Sequence, residues 1–101
     1  MMELLANYKT KAPLEKMIQH HITVWLRQQG YHIDVITKGM YGNNGIADII
    51  CCIDGRYIAF EVKRPGKKPT PIQQSWAQKV KKAGGEYYTV HSLDEVKELF
   101  E

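Results

Sequence analysis

The chain has 101 residues, enough for one small domain with a single core and too few for a second. Its composition is that of an ordinary globular protein, 44% hydrophobic and 25% charged, and a net charge of +3 is too small to establish nucleic-acid binding by itself. No apolar stretch approaches a membrane span and Met1-Met2-Glu3-Leu4-Leu5-Ala6 lacks the form of a secretory signal, so a cytoplasmic location is expected and a membrane partner is not.

Residues 1–12 carry no periodic pattern and are expected to be an arm, mobile or in contact with a partner, ahead of a single domain over residues 13–101. Leu14, Met17, Ile18, His21, Ile22, Trp25 and Leu26 then recur at helical spacing, with Pro13 suited to the first turn and Gly30 to the stop. His21 reads as a packed residue of that face. Residues 31–37 are rich in β-formers and read as a strand. A loop with Gly39, Gly42, Asn43, Asn44 and Gly45 follows, in which Tyr41 reads as part of a turn more than as a phosphate contact.

Asp54-Gly55 lies between two apolar runs and predicts a two-residue hairpin turn, because both central residues of such a turn need positive φ. The register follows by counting outward. Ile53 faces Arg56, Cys52 faces Tyr57, Cys51 faces Ile58, Ile50 faces Ala59, Ile49 faces Phe60, and Asp48 falls opposite Glu61. Directly opposed residues have Cβ atoms about 5 Å apart, close enough for two carboxylates to share one hard cation. Lys63 points to the same face as Glu61, because side chains alternate along a strand. Both strands read as central and covered on both faces, with Cys51 and Cys52 as buried free thiols.

Arg64-Pro65-Gly66-Lys67-Lys68-Pro69 then breaks the sheet. Arg64, Lys67 and Lys68 leave the acidic strand directly and are candidate phosphate contacts, whereas Lys79, Lys81 and Lys82 read as a solvent face. A second helix is expected over residues 71–83, with Ile72, Trp76 and Val80 on its buried face and Gly84-Gly85 as its stop. Thr70-Pro71-Ile72-Gln73 has the form of a capping box, which alone would explain Gln73. Residues 86–90 read as a short strand, and Ser92 with Glu95 opens a terminal helix. Trp25 and Trp76 are expected to pack in the core. His20, His21, His32 and His91 form no zinc pattern, and no organic cofactor is called for.

Gly45-Ile46-Ala47-Asp48, then Glu61-Val62-Lys63, then Thr70-Pro71-Ile72-Gln73 with Trp76 resembles the VRR-NUC (viral replication and repair nuclease) family of the PD-(D/E)xK superfamily. The likeness runs from Pro13 to Leu93, with Ala47 standing where the family usually has proline. It implies an α/β, restriction-endonuclease-like fold: a central mixed β-sheet flanked by helices, in the order α-β-β-β-α-β-α. It also implies a Mg²⁺-dependent DNA endonuclease, with Mn²⁺ able to substitute. Asp48, Glu61 and the backbone carbonyl of Val62 would be the metal ligands, with Lys63 and Gln73 catalytic. Gln74 would replace Gln73 if the helix were rotated by one residue. Glu15 would join the site by resemblance, although an acid in a first helical turn also simply complements the helix dipole. Stand-alone members look like phage or bacterial resolvases acting on branched DNA such as four-way junctions, and paired cutting implies a homodimer. The alternatives are a nicking or restriction-like subunit targeted by a partner, and a catalytically silent DNA-binding module.

Overall fold

The computed structural model describes residues 14–37 and 45–101. The expected arm, Pro13, and the loop around Tyr41 lie outside these residues. Helix α1 (Glu15–Gln28) leads into β1 (His32–Val35), β2 (Ile49–Ile53) and β3 (Arg56–Val62), followed by α2 (Pro71–Lys82), β4 (Glu86–Val90) and α3 (Leu93–Glu98). This is the predicted order. The four strands form one sheet in the order β1-β2-β3-β4, antiparallel except that β4 runs parallel to β3. No described helix is long and apolar enough to cross a membrane.

The β2–β3 hairpin has the expected register. Asp54 and Gly55 carry φ of 50° and 79°, the paired positive values of a type I′ turn. The ladder pairs Ile53 with Arg56, Cys52 with Tyr57, Cys51 with Ile58, Ile50 with Ala59 and Ile49 with Phe60. It ends there: the Asp48 N–H donates to the Phe60 carbonyl at 3.1 Å and the Asp48 carbonyl accepts from Ile36, so Asp48 sits just beyond the ladder instead of forming its next pair.

Two faces of the sheet have different fates. Ile49, Cys51, Ile53, Ile58, Phe60 and Val62 face α1 and α3, where Ile18, Ile22, Leu26 and Val96 close the core. Phe60 and Ile22 are fully buried, each contributing about 1.5–3 kcal/mol by leaving water. Trp25 seals the edge of this core against Tyr31 and Phe100, with ring centroids 6.5 and 6.1 Å away, and so packs as expected.

The opposite face carries α2, which packs over β4. The strands nearer β1 are therefore less covered than the apolar sequence implied: Cys52 and Tyr57 are exposed, and only Cys51 is a buried thiol. Burial pushes the Cys51 thiol up to about 12, which leaves it unreactive.

The helix faces also differ from the periodic reading. Ile18, Ile22, Thr23 and Leu26 form the buried face of α1, while Leu14, Met17 and His21 are exposed. The sheet meets only a narrow stripe of this helix, rotated away from Met17 and His21. On α2 the buried residue is Ala77. Ile72 is exposed, and Trp76 and Val80 are half-buried, because a small side chain lets the helix lie close to β4 and turns its bulky residues outward.

Candidate active site

Asp48, Glu61, Lys63 and Gln73 converge where β2 begins and β3 ends. Glu61 sits on β3 with 2% exposure, between Phe60 and Val62, which face the core. Its carboxylate meets a cation and an amide: Lys63 Nζ lies 3.8 Å from Glu61 Oε2, and Gln73 Nε2 donates to the same oxygen at 3.1 Å. Lys63 has only 12% of its side chain exposed, so this charge is held in a largely dry environment. Asp48 is half-buried, and its Oδ2 accepts from the Val62 N–H at 2.7 Å. The carboxylate thereby continues the connection between β2 and β3 where the backbone ladder has stopped. A strand residue presents its N–H and C=O to the same neighbour, so the Val62 carbonyl opens toward Asp48.

Gln73 has both roles that its position allowed. Thr70 Oγ1 accepts from the Gln73 N–H at 3.4 Å, and Gln73 Oε1 accepts from the Thr70 N–H at 2.8 Å, which completes the capping box at the start of α2. The other end of the same amide reaches Glu61. Its orientation is dictated by chemistry, since the Thr70 N–H can only donate and an ionised carboxylate can only accept. Gln74 is instead tied to the Pro69 carbonyl at 2.9 Å.

Gly45 fits the Asp48 segment against this helix. It is buried with φ of +81°, and a Cβ on it would overlap the Ile72 carbonyl and come within 3.0 Å of Gln73 Cα. Only a residue without a side chain lets the approach to Asp48 pass so close to the start of α2. Sequence reading placed Gly45 in the motif but not at this contact, since nothing local shows which backbone the glycine will meet.

Tyr87 was also missed. Glu61 aligns with Thr89 in the parallel β3–β4 register, so Tyr87 and Thr89 share its face. Burial pushes the Tyr87 hydroxyl up to about 12, and the negative charges of Glu61 and Asp48 add to the effect. Knowing the β4 register in advance would have identified it.

The remaining candidates are Glu15 and the basic loop after β3. Glu15 is half-exposed in the first turn of α1, and no group of three His, Cys, Asp or Glu side chains among the described residues is placed to hold a metal. The structure thus brings together two carboxylates and not three. Arg64 is half-buried, whereas Lys67 and Lys68 are exposed. Their loop is closed by the Lys67 N–H on the Arg64 carbonyl at 3.0 Å. His91 Nε2 lies 3.2 Å from the Lys67 carbonyl, and the His91 N–H donates to Glu95 at 2.8 Å. Glu95 therefore braces the loop through His91 instead of returning to Ser92, whose hydroxyl alone caps α3.

No protein-family model and no curated protein matches the sequence. Solved structures do. A "VRR_NUC domain" is 23% identical with a TM-score of 0.72, over 85% of this chain and 92% of its own. A "VRR_NUC domain protein" is 21% identical with a TM-score of 0.76, over 89% of this chain and 87% of its own. Each likeness covers most of the chain, so the chain shares the fold of VRR_NUC domains.

Proposed function

We propose that the chain is a metal-dependent DNA endonuclease of the VRR-NUC family, within the PD-(D/E)xK superfamily. The observation that carries this reading is the buried Glu61 carboxylate, flanked by Asp48 and bonded to Gln73, with Lys63 3.8 Å away. Two acids side by side at the end of an apolar hairpin oppose folding through mutual repulsion. A hard divalent cation would relieve that repulsion, and the oxygen donors of Asp48, Glu61 and the Val62 carbonyl suit Mg²⁺, or Mn²⁺ in its place. Bound there, the cation would supply Lewis-acid polarisation of a phosphodiester and lower the pKa of the attacking water.

The chain's own residues do the positioning. The Val62 N–H fixes one oxygen of Asp48 and so aims the other. Lys63 offsets negative charge developing on the phosphorane, effective because the ammonium is already held in a partly dry site. Gln73 holds the Glu61 carboxylate in one rotamer while remaining part of a rigid helix start. Arg64, Lys67 and Lys68 lie where the strand leaves the site and hold flanking phosphates. Glu15, in the first turn of α1, is the further ligand that the resemblance names for this set.

The favoured substrate is branched DNA such as a four-way junction, since the described residues form no helix-turn-helix or finger to read bases. Symmetric cutting of such a junction needs two sites, and so a two-fold homodimer acting in the cytoplasm.

Labelled junction, flap and linear duplex DNA incubated with the protein and with its Asp48→Ala variant, in Mg²⁺ or in chelator, tests this. Metal-dependent cutting by the wild type that is lost in the variant is expected, with junctions preferred. Equal cutting of plain duplex would reassign the chain as a nicking subunit targeted by a partner. Absence of cutting on every substrate would overturn the nuclease reading in favour of a silent DNA-binding module.

A further inference from the structure

Beyond the carboxylates, the same side of the sheet carries a second feature. A cleft of about 680 Å³ opens between the hairpin turn and the C-terminal half of α2, walled by Tyr57, Trp76 and Val80 with Lys79 at its rim. Tyr57 is 45% exposed and Trp76 half-buried, so both rings present surface. Gly85 lets two of these side chains close on its backbone: a Cβ there would come within 2.8 Å of the Val80 side chain and 3.1 Å of the Tyr57 ring. Arg56, also on the lining, is committed to Glu86 through two bonds of 2.8 Å. Lys79 has no ion pair among the described residues and is the cation available to a ligand.

Two partly exposed aromatic side chains and an available ammonium suit a planar ring that carries an anionic tail. Tyr57 is on the same face of β3 as Glu61, four residues away, or about 13 Å at strand rise. That spans about four nucleotides of a stacked strand at roughly 3.4 Å each, and fewer of an extended one. The one ligand that reaches both places is a nucleic-acid strand. In a duplex its bases are stacked and paired, out of reach of a cleft wall.

We infer that this cleft is a base-binding subsite, which takes one unpaired nucleotide of the strand being cut, stacked on Tyr57 and Trp76 with its phosphate on Lys79. This deepens the nuclease reading and rests on it for the identity of the strand. It narrows the substrate class to branched DNA in which a nucleotide is unpaired, or opens at the branch point, within a few nucleotides of the cut.

The test is binding, measured in chelator so that it does not depend on cutting. Fluorescence anisotropy would compare a short labelled thymidine oligonucleotide, the same oligonucleotide made entirely of abasic sites, and a duplex. The wild-type chain and its Tyr57→Ala and Tyr57→Phe variants would be used, each checked for an unchanged melting temperature. Tyr57→Ala is expected to bind the thymidine strand about tenfold more weakly, the loss typical of one stacked base. Tyr57→Phe should retain affinity, the abasic strand should bind the wild type as weakly as the thymidine strand binds Tyr57→Ala, and duplex binding should not change. Equal affinity of wild type and Tyr57→Ala, equal affinity for thymidine and abasic strands, or no binding of the thymidine strand would each overturn the subsite. Cutting by wild type and Asp48→Ala in Mg²⁺, assayed separately, decides the nuclease reading whichever way the binding falls.

Discussion

At the residue scale, the site depends on which groups share the Glu61 carboxylate. Lys63 supplies charge and Gln73 supplies geometry, and the two separate by substitution. Lys63→Met keeps the side-chain length and removes the ammonium, so cutting should fall roughly a hundredfold or more while DNA binding in chelator persists. A Lys63→Met protein that cuts normally would show that the ammonium only balances the carboxylates. Gln73→Glu preserves an acceptor for the Thr70 N–H, since Glu serves a capping box as well as Gln. It also replaces the donor to Glu61 with a like charge. The expected result is a lower melting temperature, from a like charge beside the buried Glu61, and much weaker cutting at temperatures where the variant is fully folded, read from paired thermal-melt and cleavage assays. Asp48, Glu61 and Lys63 were legible in the sequence because a two-residue turn and strict side-chain alternation convert positions into directions. Tyr87 was not, because parallel pairing through a long connection leaves no local mark of register.

At the scale of elements, the site is a junction between a hairpin and a helix, and Gly45 is where they touch. Gly45→Ala places a methyl group on the Ile72 carbonyl and strains a left-handed backbone, which alone costs about 1–2 kcal/mol. The backbone must move to relieve the overlap, separating Asp48 from the start of α2. The substitution should lower both the melting temperature and the cutting rate, the rate by more than lost folding accounts for at a temperature where the variant is fully folded. Unchanged cutting in the folded variant would show that the close approach does not position Asp48. The element order and the hairpin register were readable from the chain, but the buried faces of α1 and α2 were less so. Periodicity identifies an apolar side of a helix, whereas the sheet decides how much is covered. Here it left Met17, His21 and Ile72 in solvent and drew Thr23 and Ala77 inward.

Across the whole molecule, the far end of the sheet is tied by Arg56 on β3 and Glu86 on β4, a bidentate pair that also receives the Tyr88 hydroxyl at 2.8 Å. The hydrogen bonds from Arg56 and then Tyr88 lower the Glu86 carboxyl from 4.5 to about 2. A group whose pKa is lower in the folded state contributes stability above its ordinary value and loses it as pH falls through the folded one. The contribution of Glu86 should thus be complete above about pH 4.5 and vanish toward pH 2. The melting temperatures of wild type and Glu86→Gln are expected to differ at neutral pH and converge across that window. A gap that stays constant from pH 5 to pH 2 would rule the linkage out. The pair lies on exposed surface, so high salt should narrow the same gap.

The Asp54-Gly55 turn, at the opposite end of the hairpin from the two carboxylates, works as a counter. It sets which residue of one strand meets which residue of the other, and the acids are reached only by counting from it. One residue added to that turn would leave every side chain's chemistry intact, yet slip the pairing by a step and present Asp48 to the core instead of to Glu61. The proposed activity is therefore exposed to a change of length at a surface loop more than to most changes of residue there. Among relatives of this fold, the turn should tolerate variation in residue type while refusing variation in length.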